Sequence, residues 1–234
     1  MQYSNQYIEQ VIEGNTSIFK GLTQKDKETL TALLTVSQVK KGCFVFKQGE
    51  KTKGLICLAS GKAKVYQDGV GGRGQIIKMV KPQGFIGYKA LFSDGPWPFS
   101  AIAIEDSVIC VFERNSFKKF LKKSPEFSLK LMKIIVDELG FTNSRIISLT
   151  QKHVRGRLAE SLLILRDIYG LEPDGKTIQV IMSREDFASM SNMTTSNAIR
   201  TLSDMAQEGI IGLDGRKVSI IDAACLEHIS ELGS

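Results

Sequence analysis

Four residues near the C-terminal end have the types and spacing to do chemistry with another molecule: Thr195, Ser196, Ile199 and Arg200. Thr195 and Ile199 are four apart, as are Ser196 and Arg200, so a helix carries all four on one side. That side is small and polar, with one long cation. It has the profile of a helix that enters the DNA major groove, where arginine pairs with guanine N7 and O6 and apolar groups meet thymine methyls. Ala198, Leu202 and Met205, at i, i+4 and i+7, form the opposing stripe and must be buried.

The elements that hold such a helix flank it. Ser183, three before Asp186, is a capping signature that starts a first helix, with Phe187, Ala188 and Met190 as its apolar side. Ser191-Asn192 breaks the pattern, Thr194 is the N-cap of the second helix, and Gly209 ends it. Ile210 to Ile220 reads as two short strands around Asp214-Gly215, a favoured pair for a two-residue hairpin turn. Helix, short turn, helix and hairpin is the layout of a winged helix-turn-helix. In it Ser183, Arg184, Thr194, Arg216 and Lys217 are placed to meet phosphates, contacts that position a protein on DNA without reading sequence. The competing arrangement is an ordinary helical hairpin inside an all-α core.

Charge is unevenly divided along the chain. The net +6 comes from 31 basic and 25 acidic residues. Residues 152–234 hold nine Lys/Arg against twelve Asp/Glu, a net of −3, which leaves 22 against 13, a net of +9, for residues 1–151. A DNA-binding domain usually presents a basic surface, so the few C-terminal cations have to gather on one face. No apolar run approaches the ~20 residues of a membrane span. The N-terminus has neither the basic start nor the apolar core of a signal peptide, so a cytoplasmic protein with no membrane partner is expected. Cys43, Cys57, Cys110 and Cys225 are scattered with no C-x-x-C pair, which predicts free thiols, no metal site and no cofactor.

Residues 1–34 are helical in pattern, with Phe19, Leu22, Leu30, Leu33 and Leu34 as the apolar set. From Val36 to Phe112 the period shifts to short β-rich runs: Cys43–Phe46, Leu55–Ala59, Ala63–Gln67, Gln75–Val80, Ala101–Ile104 and Ser107–Phe112. Even spacing with Gly-bearing turns predicts a small antiparallel barrel or sandwich. The glycine-rich run Asp68–Gly74 lacks the Gly-Lys-Ser/Thr ending of a phosphate loop and reads as a hairpin tip. Between Pro82 and Ser100 the strands are interrupted by a short helical turn, where the barrel would hold a ligand.

Asn115–Lys123 and Pro125–Gln151 are helical again. In the second, Met132, Ile135, Leu139, Thr142, Ile146 and Leu149 alternate by three and four, the seam of a two-stranded coiled coil. A second stripe, Phe127, Leu131, Ile134 and Phe141, can lie against the barrel. Two apolar faces need two partners: its own domain and, most simply, a second copy. A helix sunk in one core is the alternative. The polar stretch around His153 reads as a hinge, with His153 solvated or capping rather than a ligand. Beyond it come a helix at Leu158–Tyr169, a strand at Thr177–Met182 and a closing helix at Ala223–Leu232. The fold class is α+β, with a sensing barrel at 1–123, a dimerisation helix and hinge at 124–153, and a winged helix-turn-helix at 154–234.

Barrel, long helix, hinge and winged helix-turn-helix, in this order, resemble the Crp/Fnr family of bacterial transcription regulators over about residues 16 to 222. The likeness is carried by the opening helix IFKGLTQKDKETLTALL, the turns at Gly49-Glu50 and Gly61-Lys62, the segment GFIGYKALF and the helix HVRGRLAESLLIL. It implies a homodimeric regulator of double-stranded DNA with a cyclic-nucleotide-binding-like jelly roll that senses an effector. RNA polymerase is a partner if the protein activates. The implied effector pocket is Gly84, Phe85, Gly87, Tyr88, Lys89, Trp97, Phe99 and Ser100.

Departures from the family pattern narrow the expectation. Members that bind cyclic nucleotides carry a Glu just after the F-x-G and an Arg-Ser or Arg-Thr pair at the far end of the cassette. Tyr88 and Phe99 stand at those positions, with Ser100 kept. Lys89 is a point charge at a different position, so cyclic AMP and cyclic GMP are not expected as effectors. Residues 1–42 hold no cysteine, which removes the iron-sulfur sensor. Both histidines, His153 and His228, follow the barrel, so a haem ligand would have to be Cys57 or Cys110. Tyr88, Trp97 and Phe99 suit a pocket filled by its own side chains or one that takes an apolar ligand. On the reading helix Ser196 replaces the usual Glu and Thr195 an Arg, while Arg200 matches. An enzyme is not expected, since no His-Asp-Ser, Cys-His or carboxylate set can be assembled in the barrel. A sensor acting through protein partners is the alternative, and Phe99 argues against its cyclic-nucleotide form.

Overall fold

In the computed structural model, which describes residues 2–14, 17–69 and 72–232, the alternating runs of the first half pair into two antiparallel sheets. The strands are β1 (Leu34–Val39), β2 (Phe44–Phe46), β3 (Gly54–Ser60), β4 (Ala63–Asp68), β5 (Gly74–Val80), β6 (Phe85–Ile86), β7 (Ser100–Ala103) and β8 (Ser107–Glu113). One sheet has the order β1-β8-β3-β6 and the other β2-β7-β4-β5. Period two puts Val39, Ile56, Leu58 and Ile109 of the first sheet into one core with Phe46, Val65 and Trp97 of the second sheet and its connections. Val70 and Gly71 of the glycine-rich hairpin lie outside the described residues.

The other face of the first sheet is covered by helices. α1 (Gln2–Glu13), α2 (Gln24–Ala32), α4 (Arg114–Lys123) and α5 (Pro125–Gln151) surround it, while α3 (Lys89–Phe92) sits between β6 and β7. Leu55, Cys57, Cys110 and Phe112 meet Phe19, Phe117, Phe127 and Leu131 there. Phe19 and Phe127 stack at 5.1 Å, and Phe117 meets Phe127 edge-on at 6.2 Å. Cys57 and Cys110 are register partners on β3 and β8. Burial pushes the Cys110 thiol up to about 11 and the Cys57 thiol well above its ordinary value, so both stay protonated and poor as ligands. At the β3–β4 turn Gly61 has φ +87°, and a Cβ there would lie 2.3 Å from Ser107 Oγ.

Several boundaries differ from the sequence expectation. Leu34 opens β1 instead of closing the first helical segment, because Leu34 and Val36 alternate onto the helix-covered face. β6 is too short for any periodic signal and exists by pairing with β3, Ile56 with Ile86 and Cys57 with Phe85. Thr177–Met182 is not a strand. Leu171–Ile178 and Thr177–Ser219 are single bridges, and the Val180 N–H turns back to the Ile178 carbonyl at 2.7 Å, which curls the chain out of any ladder.

α5 is continuous, but its faces are rotated from the expected ones. Phe127 and Leu131 are buried and Ile135 is half-buried on the same side, so Ile135 belongs to the barrel face. Leu129, Met132, Val136, Leu139 and Ile146 are 54–66% exposed. With Asn143 they alternate by three and four. Phe141, expected against the barrel, is 44% exposed. By contacts the chain divides into one unit of Met1–Gln67 with Lys78–Gly140 and another of Asp68–Ile77 with Phe141–Ser234. The second unit holds α6 (Val154–Tyr169), α7 (Arg184–Met190), α8 (Thr195–Gln207), a hairpin of β9 (Ile211–Asp214) and β10 (Lys217–Ile220), and α9 (Ala223–Leu232). Because α6 starts at Val154, the hinge shrinks to Lys152-His153, and His153 is an N-cap whose side chain makes no capping bond.

Candidate nucleic-acid interface

Local chemistry fixes the start of α7. Ser183 Oγ accepts the Asp186 N–H at 3.0 Å, and the Asp186 carboxylate accepts the Ser183 N–H at 3.0 Å, a reciprocal capping box. Phe187, Ala188 and Met190 turn inward. The chain then reverses through Asn192 at φ +49°, a conformation asparagine tolerates, and the Met193 N–H closes the turn on the Ala188 carbonyl at 3.0 Å. Ser191 Oγ donates to Ser161 Oγ of α6 at 2.8 Å, so the turn is pinned from beneath.

Thr194 caps α8 by accepting the Asn197 N–H at 3.2 Å. Ala198, Leu202 and Met205 are fully buried, which forces the opposite side outward. Thr195, Ser196, Ile199 and Arg200 all lie exposed on it, brought together as their spacing requires. Arg200 Nη2 donates to Asn197 Oδ1 at 3.3 Å and forms no ion pair among the described residues. Asn197 was not singled out from sequence; its place three before Arg200 was the available signal, since residues at i and i+3 are neighbours on a helix.

The wing closes one residue later than expected. Asp214 pairs with Lys217, so the two loop residues are Gly215 and Arg216, with Gly215 at φ +56°. The five residues assigned to phosphates divide into distinct environments. Ser183 and Thr194 spend their side chains as caps. Arg184 Nη2 donates to the Gly215 carbonyl at 3.0 Å and ties the wing tip to the start of α7. Lys217 Nζ lies 3.1 and 3.2 Å from the two Glu172 oxygens. Arg216 is exposed at the tip and forms no ion pair among the described residues.

A half-buried polar cluster supports the turn from the end of α5. Arg145 Nη1 donates to Glu160 Oε2 at 2.6 Å and its Nη2 to the Met190 carbonyl at 2.8 Å, while Ser148 Oγ donates to Glu160 Oε1 at 2.6 Å. Burial lowers the Arg145 pKa and the facing Glu160 opposes that shift, so the guanidinium depends on its partner. Arg145→Met is therefore expected to cost about 2 kcal/mol, between the exposed and fully buried limits for ion pairs. Chemical denaturation followed by circular dichroism measures it, with Arg145→Lys restoring only part because a point charge cannot reach both acceptors.

The residues of the expected effector pocket fall in different surroundings. Phe85 and Tyr88 pack with the helix-covered core, Trp97 and Phe99 with the core between the sheets, and Lys89 is exposed. Trp97, 2% exposed, stacks on Phe46 at 4.0 Å. Its ring covers Gly87, where an added Cβ would come within 2.3 Å of Cη2. Burial pushes the Tyr88 phenol up, with Glu138 and Cys57 adding to it, so Tyr88 stays neutral. Ser100 accepts the Gln48 N–H at 3.0 Å, and Gly84 sits half-buried before β6.

Two family descriptions match the chain: a cyclic nucleotide-binding domain over residues 36–124 and a Crp-like helix-turn-helix domain over residues 156–229. The chain is 27% identical over 214 residues to the CRP-like cAMP-activated global transcriptional regulator of Mycobacterium tuberculosis, covering 91% of this chain and 95% of that one. It is 24% identical over 189 residues to the anaerobic regulatory protein of Bacillus subtilis, covering 80% and 79%. Among solved structures, FixK2 from Bradyrhizobium japonicum aligns with a TM-score of 0.74 at 23% identity, over 83% of this chain and 96% of that one. A CooA mutant from Carboxydothermus hydrogenoformans aligns with a TM-score of 0.73 at 20% identity, over 95% of each.

Proposed function

The chain belongs to the Crp/Fnr family of DNA-binding transcription regulators, which are not enzymes, and from that premise we propose that it acts as a homodimer and is not controlled by cyclic AMP. The barrel of residues 1–123 senses, the helix of 124–153 pairs two copies, and residues 154–234 read DNA. Thr195, Ser196, Ile199 and Arg200 face the bases, and Arg216 leads the phosphate contacts. RNA polymerase is the further partner where the protein activates.

The exposed apolar seam of α5 supports the dimer: five large apolar side chains in a three-four repeat cannot all stay in water without cost. Asn143 falls in the same repeat, where a paired polar residue fixes the register of a parallel coil.

The M. tuberculosis relative is cAMP-activated by name. In this chain the position for a phosphate-binding Arg is Phe99, packed against the inter-sheet core, and the Glu position is the neutral Tyr88. A cyclic phosphate buried without a guanidinium loses several kcal/mol. Two experiments test the proposal. A gel-shift assay with genomic fragments is expected to show specific retardation with no nucleotide added. Calorimetry is expected to find no cyclic AMP binding at micromolar concentration, and a micromolar dissociation constant would overturn that half of the proposal.

A further inference from the structure

The inward positions of β1 are Thr35, Ser37 and Val39, beside Val111 and Ile109 of β8. Only Val39 is buried. Thr35 and Ser37 are short and polar where two facing sheets call for bulk. The space they leave is a cavity of about 410 Å³ near the β1 and β2 edges, walled by Val39, Phe46, Ile56, Trp97 and Ile109. That volume falls within the ~300–1,000 Å³ of small-molecule sites. β6, which leads into the cassette, is at the opposite edge of the first sheet from β1. Of the eight cassette residues only Trp97 lines this cavity.

Four charged residues stand at its mouth: Glu50, Lys51, Lys53 and Glu113. The Glu50 carboxylate accepts the Lys47 N–H at 3.1 Å. Glu113 caps α4, accepting the Asn115 and Ser116 N–H groups at 2.9 and 2.8 Å, and those bonds hold its carboxyl below the usual range. Lys51 and Lys53 are exposed and form no ion pair among the described residues. The acids at the mouth are committed to backbone and the cations are not.

We propose that this cavity binds an amphiphilic monocarboxylate, with its apolar body between the sheets and its carboxylate at Lys51 and Lys53. Trp97 is the single tryptophan of the chain, so its emission reports occupancy directly. Decanoate titrated into the full-length protein is expected to change that emission saturably. Lys51→Glu with Lys53→Glu is expected to weaken binding at least tenfold. Ser37→Phe, which fills the cavity from an exposed position, is expected to abolish the change, and decyltrimethylammonium to produce none. Circular dichroism shows whether each variant is folded. The proposal is overturned by no saturable response to decanoate, by its retention in either variant, or by an equal response to the cationic amphiphile. The readout involves no DNA, so its failure leaves the DNA-binding reading standing.

Discussion

Replacing Met132 and Leu139 by glutamate is expected to separate the protein into monomers and to abolish tight DNA binding. Both residues are 59% exposed and lie on the seam side of α5, away from the barrel core, so the fold of each subunit is untouched. Two substitutions per helix place four carboxylates in a paired seam. Each costs several kcal/mol when desolvated, which together exceeds the roughly 8 kcal/mol of a micromolar dimer. Losing the linkage between two reading helices then weakens DNA binding roughly 10²-fold or more. Analytical ultracentrifugation and gel shifts on the same samples measure both effects. An unchanged dimer would remove α5 from the interface. Ile135 is the wrong site for this test, because it packs on its own barrel and a charge there would unfold the subunit as well.

Arg200→Ala and Arg216→Ala are expected to fail in different ways. On the outward face of α8, Arg200 meets the Asn197 side chain and forms no ion pair among the described residues. A bidentate contact to guanine contributes ~1–3 kcal/mol of discrimination. Its loss should relax preference at one symmetric pair of positions and lower specific affinity about tenfold to a hundredfold. Arg216 at the wing tip should weaken all sequences alike and reduce the salt slope by about one unit per phosphate contact, hence about two per dimer. Lys217 should matter less than Arg216, because Glu172 already neutralises it. Competition binding with single-position operator variants over a salt series separates these outcomes. Uniform weakening by Arg200→Ala would make it a phosphate contact.

Much of this was legible in the sequence because the helix-turn-helix is built from local signals. The Ser183 and Thr194 caps, the Asn192 turn and the Ala198-Leu202-Met205 stripe each involve residues within a few positions of one another. The wing slipped by one residue because Asp214-Gly215 and Gly215-Arg216 both place a glycine in the loop, and the Asp214–Lys217 pairing decides between them. Periodicity could not choose between Ile135 and Val136 for the seam, since both are apolar. The choice follows from which side of α5 meets Leu131's neighbours in the core. β1 and β6 depend on partners far along the chain, as do the Lys217–Glu172 and Arg145–Glu160 pairs. No local spacing announces such contacts.

The most direct test of the central claim is selection of DNA from a random library by the purified protein. The proposed dimer predicts an enriched inverted repeat, with half-site centres about one helical turn apart, ~34–36 Å. Each half should contain a guanine at the symmetric position that Arg200→Ala no longer selects. Recovery of no enriched sequence, or of a single asymmetric site indifferent to Arg200, would contradict a dimer that reads DNA through α8.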